Sequence, residues 1–254
     1  MNSTPTLFYQ QGACSLGALI SLVWLGRPFQ VCRVEQNRGE SPEYLELNAL
    51  GEVPLLYADG AVITENVAIL QHIAFQDLGK NLIFRPNTPE FDQLNRALGF
   101  LSSDFHKAFA GVFHSSAFHP DKKIQEEIKK TTIVGHLREM VEHANQYITR
   151  TPFVFDHPMI PDAYFYAMAR WLEHFYDLDR DFKNIRRFQK AMEQDPGVAI
   201  ALEIEKGQLH EAKGAFLGSV DFDTTVQNIA ESRKNYHHLQ RRDSPAYRPS
   251  LTPE

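Results

Sequence analysis

With 254 residues, 29.1 kDa, 43% hydrophobic and 23% charged residues, the chain has the composition of a soluble globular protein with room for one large or two ordinary domains. A net charge of −6 and a pI near 6.0 argue against a nucleic-acid surface, which needs clustered Lys and Arg. Two cysteines make no disulfide framework, and the first apolar run, residues 16–25, follows no basic segment and is too short to span a bilayer. The expectation is a cytoplasmic protein in a reducing compartment, with neither nucleic acid nor membrane as partner.

Residues 6–9 (TLFY) read as a short apolar strand stopped at Gln10-Gln11-Gly12. Cys14-Ser15 opens a helix with Leu16, Leu19, Ile20, Val23 and Trp24 on one face, closed by Gly26 and Pro28. Residues 29–34 suit a second strand, and Ser41-Pro42-Glu43 starts a helix after a polar loop. A Gly51 turn leads to Val53-Pro54, the run Leu55-Leu56-Tyr57, the turn Asp59-Gly60 and the run 61–63, the pattern of a hairpin. Pro54 donates nothing to a ladder, so it belongs at the first residue of its strand. A cis bond there would turn the Val53 N–H and C=O outward, toward an extended peptide. Thr64-Glu65-Asn66 opens a helix over 65–76, where bare N–H groups and the Asn66 amide favour a carboxylate. The plainer alternative is that Thr64 caps a helix and Val-Pro starts a strand. Residues 1–80 thus read β-α-β-α-β-β-α, a small α/β unit with a right-handed parallel crossover and an antiparallel edge pair.

Residues 81–89 have the Asn, Arg, Pro and Thr content of a linker. From 90 to 212 the pattern is helical. Phe91, Leu94, Leu98, Leu101, Phe105, Ala108 and Val112 recur at three and four, as do Ile124, Ile128, Leu137, Val141, Ala144 and Ile148, which predicts two long antiparallel helices. Residues 162–175 are apolar nearly all round, the mark of a helix at the centre of a bundle, and shorter helices are expected at 182–192 and 198–209. Apolar residues thin out after Lys213, and Pro245, Pro249 and Pro253 accumulate. Residues 213–254 are therefore expected as an extra tail, loosely held or wrapped on the surface, with one helical stretch near 225–239. The fold class is α/β plus all-α.

The chemistry centres on Cys14. A thiol between a strand end and a helix start is one whose thiolate the helix N-terminus favours, which would lower its pKa. Such a group attacks a disulfide, or hydrogen-bonds or exchanges with a bound thiol. The bland alternative is an inert core cysteine, and that is the reading for Cys32. Tyr9 and Ser15 flank the same turn with hydroxyls whose simplest roles are packing and capping.

Taken together and in order, YQQGACS, NALGEVPLL, TENVAILQHI, FLSSDFHKAF and DAYFYAMARW resemble the glutathione S-transferases, most of all the bacterial beta class, across residues 6–210. The resemblance implies a thioredoxin-like domain that carries a glutathione site, then an all-helical domain walling a second, apolar pocket with residues such as Phe109, Phe113, Tyr164 and Trp171. It implies Cys14 at the glutathione sulfur, Val53 before a cis Pro54 against the cysteinyl backbone, and Glu65 and Asn66 at the γ-glutamyl end. His106 and Lys107 match the beta-class pair that faces the sulfur, and Asp104 would reach the ligand of the other subunit. Glutathione is then a cosubstrate, no metal is implied, and a site completed across a two-fold axis implies a homodimer. The implied activity, of the detoxification kind, is transfer of the glutathione thiol to an apolar electrophile, or glutathione-dependent reduction of disulfides or peroxides; a cysteine at position 14 favours the thiol-disulfide or peroxide chemistry, with modest conjugating activity.

Several positions depart from the family pattern. Asn66 stands where Ser or Gly is usual, though an amide still donates and accepts. Glu52 stands where Gln or Lys is common and puts a negative charge near the expected glycyl carboxylate. Arg38 is the base in a short loop that would replace the family's lysine. Met159 stands where a Ser or Thr caps the buried helix three residues before Asp162, a loss of about 1 kcal/mol. The tail beyond about Gly214 has no family counterpart. Glu52 and the tail favour an alternative, a non-catalytic protein-binding module of the stringent-starvation type; Cys14, Glu65 and the His106-Lys107 pair oppose it. A zeta-type isomerase, which uses a Ser-Ser-Cys turn, is a further option matched at Cys14-Ser15 alone.

Overall fold

In the computed structural model, which describes residues 4–209 and 211–243, the chain opens with β1 (Thr6–Tyr9), α1 (Leu16–Leu25), β2 (Phe29–Arg33), α2 (Pro42–Leu45), β3 (Leu55–Ala58), β4 (Ala61–Thr64) and α3 (Asn66–Phe75). This is the expected thioredoxin-like order. β1 pairs parallel with β2 and antiparallel with β3, and β3 pairs antiparallel with β4. The hairpin turns on Asp59 (φ 50°) and Gly60 (φ 80°), the two positive φ angles that match a tight turn to the strand twist. Residues of α1 are buried on nearly all sides, because the helix packs against α3 and against two helices of the second half.

That second half begins after residues 81–88, which form neither helix nor strand but are held down by buried Leu82 and Ile83; Pro89, expected to end the linker, already opens the first helix of this half. α4 (Pro89–Phe100) starts with Thr88 accepting from the Phe91 N–H. It continues through a π-helical stretch, Leu101–Phe105, and a 3-10 turn, Lys107–Phe109, into α5 (Ala110–Phe113) and α6 (Ser115–Phe118). α7 (Lys122–Val134) and α8 (His136–Tyr147) are separated by Gly135. The two long helices predicted from periodicity are thus each interrupted, the first where its apolar spacing carries through unchanged and the second at Gly135, within the gap between Ile128 and Leu137.

α9 (Ile160–Ala169) is buried at every residue, as its sequence implies, and a 3-10 turn, Arg170–His174, takes over where one longer helix was expected. Met159 contributes no side-chain cap. Instead the Asp162 carboxylate accepts from the backbone N–H of Met159 (3.0 Å) and Val154 (2.8 Å), so the helix start is satisfied from inside its own first turn. α10 (Leu178–Asp181), α11 (Lys183–Glu193) and α12 (Pro196–Glu205) complete the helical half. The close crossing of α1 and α9 depends on Gly17, where a Cβ would sit 2.9 Å from the Tyr164 Cα.

The segment after Lys213 differs most from expectation. β5 (Phe216–Ser219) joins the sheet beside β2, in parallel, giving the order β4-β3-β1-β2-β5. α13 (Phe222–Asp243) is longer than the helical stretch expected near 225–239 and lays Phe222, Val226 and Ile229 over Phe8, Tyr44, Leu47 and Leu55. Three buried apolar residues at helical spacing dock this part of the tail on the sheet face. Pro245, Pro249 and Pro253 lie outside the described residues.

Candidate functional site

A cavity of about 270 Å³ lies where the β1–α1 turn, the segment entering β3, the head of α3 and the turn before α5 converge. Among the residues singled out in the sequence, Cys14, Val53, Pro54, Glu65, Asn66, His106 and Lys107 line it, whereas Arg38 and Asp104 do not.

The turn that carries Cys14 is fastened from both halves of the molecule. Ser15 Oγ accepts from the Gln10 N–H and donates to the Gln10 carbonyl, both at 3.2 Å. The Gly12 N–H donates to Glu205 Oε1 (3.1 Å), and the Trp171 indole N–H donates to the Gly12 carbonyl (2.8 Å). Glu205 is in turn gripped by both Arg170 guanidinium nitrogens, at 3.0 and 3.1 Å. The Tyr9 hydroxyl donates to the Ile204 carbonyl, so neither flanking hydroxyl serves the sulfur; both are structural.

Cys14 is 8% exposed, with its Sγ 3.8 Å from the Val53 carbonyl. Burial pushes its thiol up to about 12, against a lowering hydrogen bond from the Asn66 side chain; Glu52 and Glu65 add to the rise. The expected lowering by the helix N-terminus is therefore overturned. α1 begins only at Leu16, and desolvation of a buried anion outweighs what the end of the helix returns.

The Val53-Pro54 bond is cis, as expected, and the β3–β4 ladder starts beyond it at Leu55↔Thr64. The backbone before it is pinned at Glu52, whose carbonyl accepts from the Tyr44 hydroxyl (2.9 Å) and the Asn48 side-chain amide (2.8 Å). Gly39 and Gly51 touch back to back, and a Cβ on either would run into the other's carbonyl. Across the cavity, Glu65 takes φ 70° and ψ 124° at the head of α3, where no side chain caps the helix. A non-glycine residue at positive φ costs of order 1–3 kcal/mol and persists where surroundings enforce it. Asn66 is 7% exposed and its Oδ1 is buried without a hydrogen-bond partner. A buried acceptor left alone is costly and is suited to a donor brought by a ligand.

From the helical half, the π-helical stretch sets the aim of His106, whose N–H reaches back to the Leu101 carbonyl (3.0 Å). Such insertions in helices recur at functional sites. His106 Nδ1 hydrogen-bonds the Tyr164 hydroxyl at 3.1 Å, and burial, with His114 nearby, holds the imidazole below its ordinary pKa. Lys107 is exposed on the cavity wall. Phe109 and Phe113 stack at 5.6 Å, with Trp171 edge-on to both at 5.0 and 5.2 Å. Phe109, Phe113 and Tyr164 line the cavity; Trp171 stands behind them.

The two predicted residues outside the cavity have other partners. Arg38 forms a two-pronged ion pair with Asp223 of α13, at 2.8 and 2.9 Å, with its guanidinium 5.1 Å over the Phe222 ring. Asp104 is exposed and accepts a very short hydrogen bond from Ser103. Glu52 does line the cavity, as its departure from the family pattern implied. Asn48, Tyr44 and Glu205 escape sequence reasoning. Asn48 carried a turn signal ahead of Gly51, but nothing local marks the other two. Among the described residues, no three His, Cys, Asp or Glu side chains gather to hold a metal ion, and no helix is long and apolar enough to cross a membrane.

The family model described as "Glutathione S-transferase, N-terminal domain" matches residues 6–75. The glutathione S-transferase GST-4.5 of Xanthomonas campestris pv. campestris is 30% identical over 214 residues, 78% of this chain and 98% of its own. A bacterial beta class glutathione S-transferase of Sphingomonas chungbukensis is 28% identical with a TM-score of 0.70, covering 79% of this chain and 98% of its own. A sphingomonad glutathione S-transferase complexed with glutathione is 26% identical, again with a TM-score of 0.70, over 79% of this chain and 98% of its own. Sequence and fold both agree with these relatives over most of the chain: it belongs to the glutathione S-transferase family and is similar to its bacterial beta class.

Proposed function

We propose that the cavity beside Cys14 binds glutathione and that the protein transfers its thiol to an apolar electrophile. The observation that carries this reading is the convergence of a peptide edge at Val53, an uncapped helix head with the orphaned Asn66 Oδ1, and a half-buried imidazole with a cation beside it. The γ-glutamyl carboxylate suits the bare N–H groups of α3, its ammonium suits Glu65, and the cysteinyl backbone suits Val53. Arg38 is engaged elsewhere and Glu52 faces the glycyl end, so binding rests on the first two parts of the tripeptide.

His106, kept neutral by its lowered pKa, accepts the thiol proton, and Lys107 with the Cys14 S–H stabilises the thiolate. That sulfur forms a bond to the electrophilic carbon as the leaving group departs with the bonding pair. The Phe109–Phe113 wall supplies an apolar place for the electrophile. Asp104, exposed and outside its own cavity, fits a role at the ligand of a second subunit in a homodimer.

Thiol-disulfide exchange at Cys14 is a second reading, supported by the place of this residue in the cavity lining. A glutathione thiolate would attack the glutathione sulfur of a Cys14 mixed disulfide, the S–S bond would break, and Cys14 would leave with the electron pair and take a proton. A thiol pushed up to about 12 leaves poorly and is seldom ionised at neutral pH, which weighs toward conjugation. Calorimetric titration with glutathione, then assays with chlorinated aromatics, peroxides and disulfides, test the proposal. Saturable binding with conjugation is expected. No retention on immobilised glutathione would favour the protein-binding module to which Glu52 and the tail incline. Cys14→Ala should abolish reduction of a glutathione mixed disulfide and leave conjugation largely intact.

A further inference from the structure

We infer that the C-terminal segment is a positioning strap for the glutathione site, acting through Phe222 and Asp223 on the wall that runs from Arg38 to Val53. The inference rests on the glutathione reading and adds a level of control to it. The relatives above are matched over 98% of their own length by 78–79% of this chain, so this chain carries a segment beyond what they share.

One side of the 38–53 wall forms the cavity through Asn48, Glu52 and Val53, and its other side is covered by α13. Three independent ties join the two. The Arg38–Asp223 pair fixes the start of the wall. The Arg233 guanidinium donates to the Glu46 carbonyl at 3.2 Å, in its middle. Tyr44 provides the third and most direct tie, with its ring 5.8 Å from Phe222 and 5.7 Å from Phe8 and its hydroxyl on the Glu52 carbonyl. The residue that accepts from Tyr44 immediately precedes the one offered to the ligand backbone. The Gly39–Gly51 contact carries any displacement of the Arg38 end straight to that same turn.

A docked α13 therefore keeps the peptide edge in its binding geometry. Where the wall is competent for only a fraction of the time, the apparent affinity falls by that fraction. Linkage runs both ways: glutathione must hold α13 down as much as α13 assists glutathione.

The test uses the full chain and the variants Phe222→Ala and Asp223→Ala, with glutathione affinity by calorimetry, conjugation kinetics, and amide hydrogen exchange without ligand. Phe222→Ala should weaken glutathione binding about fivefold or more. KM for glutathione should rise in step while kcat at saturation changes by less than about twofold. Amides 48–53 should exchange faster in the same variant. Asp223→Ala should act in the same direction more weakly, and the swapped pair Arg38→Asp with Asp223→Arg should restore affinity. Should Phe222→Ala fail to fold, Phe222→Leu, which keeps apolar volume, serves in its place. Unchanged affinity and unchanged exchange at 48–53, with α13 itself loosened, would overturn the strap. Failure of the wild-type protein to bind glutathione would instead overturn the functional reading, and the exchange comparison would still decide whether α13 controls the wall.

Discussion

Burial sets the protonation of the two groups at the centre of the cavity, moving their pKa values in opposite directions and leaving both uncharged. Desolvation penalises the charged form of each, so Cys14 stays a thiol and His106 stays a neutral base. With the thiol at about 12, alkylation of Cys14 by iodoacetamide at pH 7.5 should run on the order of a thousandfold slower than that of a free cysteine, and it should climb with pH; peptide mass spectrometry reads the rate. Rapid labelling would show that the sulfur is ionised. For His106 the folded pKa lies below the unfolded value of about 6.5, so its contribution to stability is present above that value and is lost as pH falls toward the folded one. His106→Gln should flatten this acid-side loss, measured as urea midpoints at pH 7.5 and 5. Neither shift can be read from residue spacing, since both come from packing between halves of the chain. The sequence marks Cys14 by its place at a strand end and His106 by its family motif, and it leaves their ionisation open.

The elements divide by how local their causes are. The hairpin is legible because Asp59-Gly60 and Pro54 act within a few residues, and the α9 core helix is legible because its apolar character is continuous. The π-helical stretch at Leu101–Phe105 is not legible, because the apolar positions around it keep three-and-four spacing while one extra residue turns His106 to the cavity. The placement of Arg38 is illegible for a different reason: its carboxylate partner, Asp223, lies far along the chain on a helix whose apolar spacing marks a packed face but not the surface it packs against. Gly17 shows how tightly these elements meet. Alanine in an exposed helix interior gains about 1 kcal/mol over glycine. Here the added methyl would sit 2.9 Å from the Tyr164 Cα, so the helices must part. Gly17→Ala should therefore lower stability by about 2 kcal/mol, read as a lower urea midpoint with an unchanged slope.

At the scale of the molecule, the cavity is assembled from both halves, with the β1–α1 turn tied to α12 through Glu205 and to the turn after α9 through Trp171. A ligand that binds only this assembled form stabilises all of it. Glutathione at a hundredfold excess over its Kd should add about 2.7 kcal/mol, which raises Tm by about 5–10 °C for a chain of this size. Differential scanning calorimetry at two glutathione concentrations measures the shift, and a Tm independent of glutathione would contradict the assignment. The order of the sheet has a consequence for how the protein is made. β2 receives its outer neighbour from Phe216, and the apolar face of Phe8, Tyr44 and Leu55 is covered by Val220 and by the helix from Phe222 onward. At translation rates of about 5–20 residues per second, the nascent chain therefore carries an uncovered greasy face for about 10–40 seconds before its lid emerges from the ribosome. During that interval, the newborn polypeptide is a natural client for holdase chaperones.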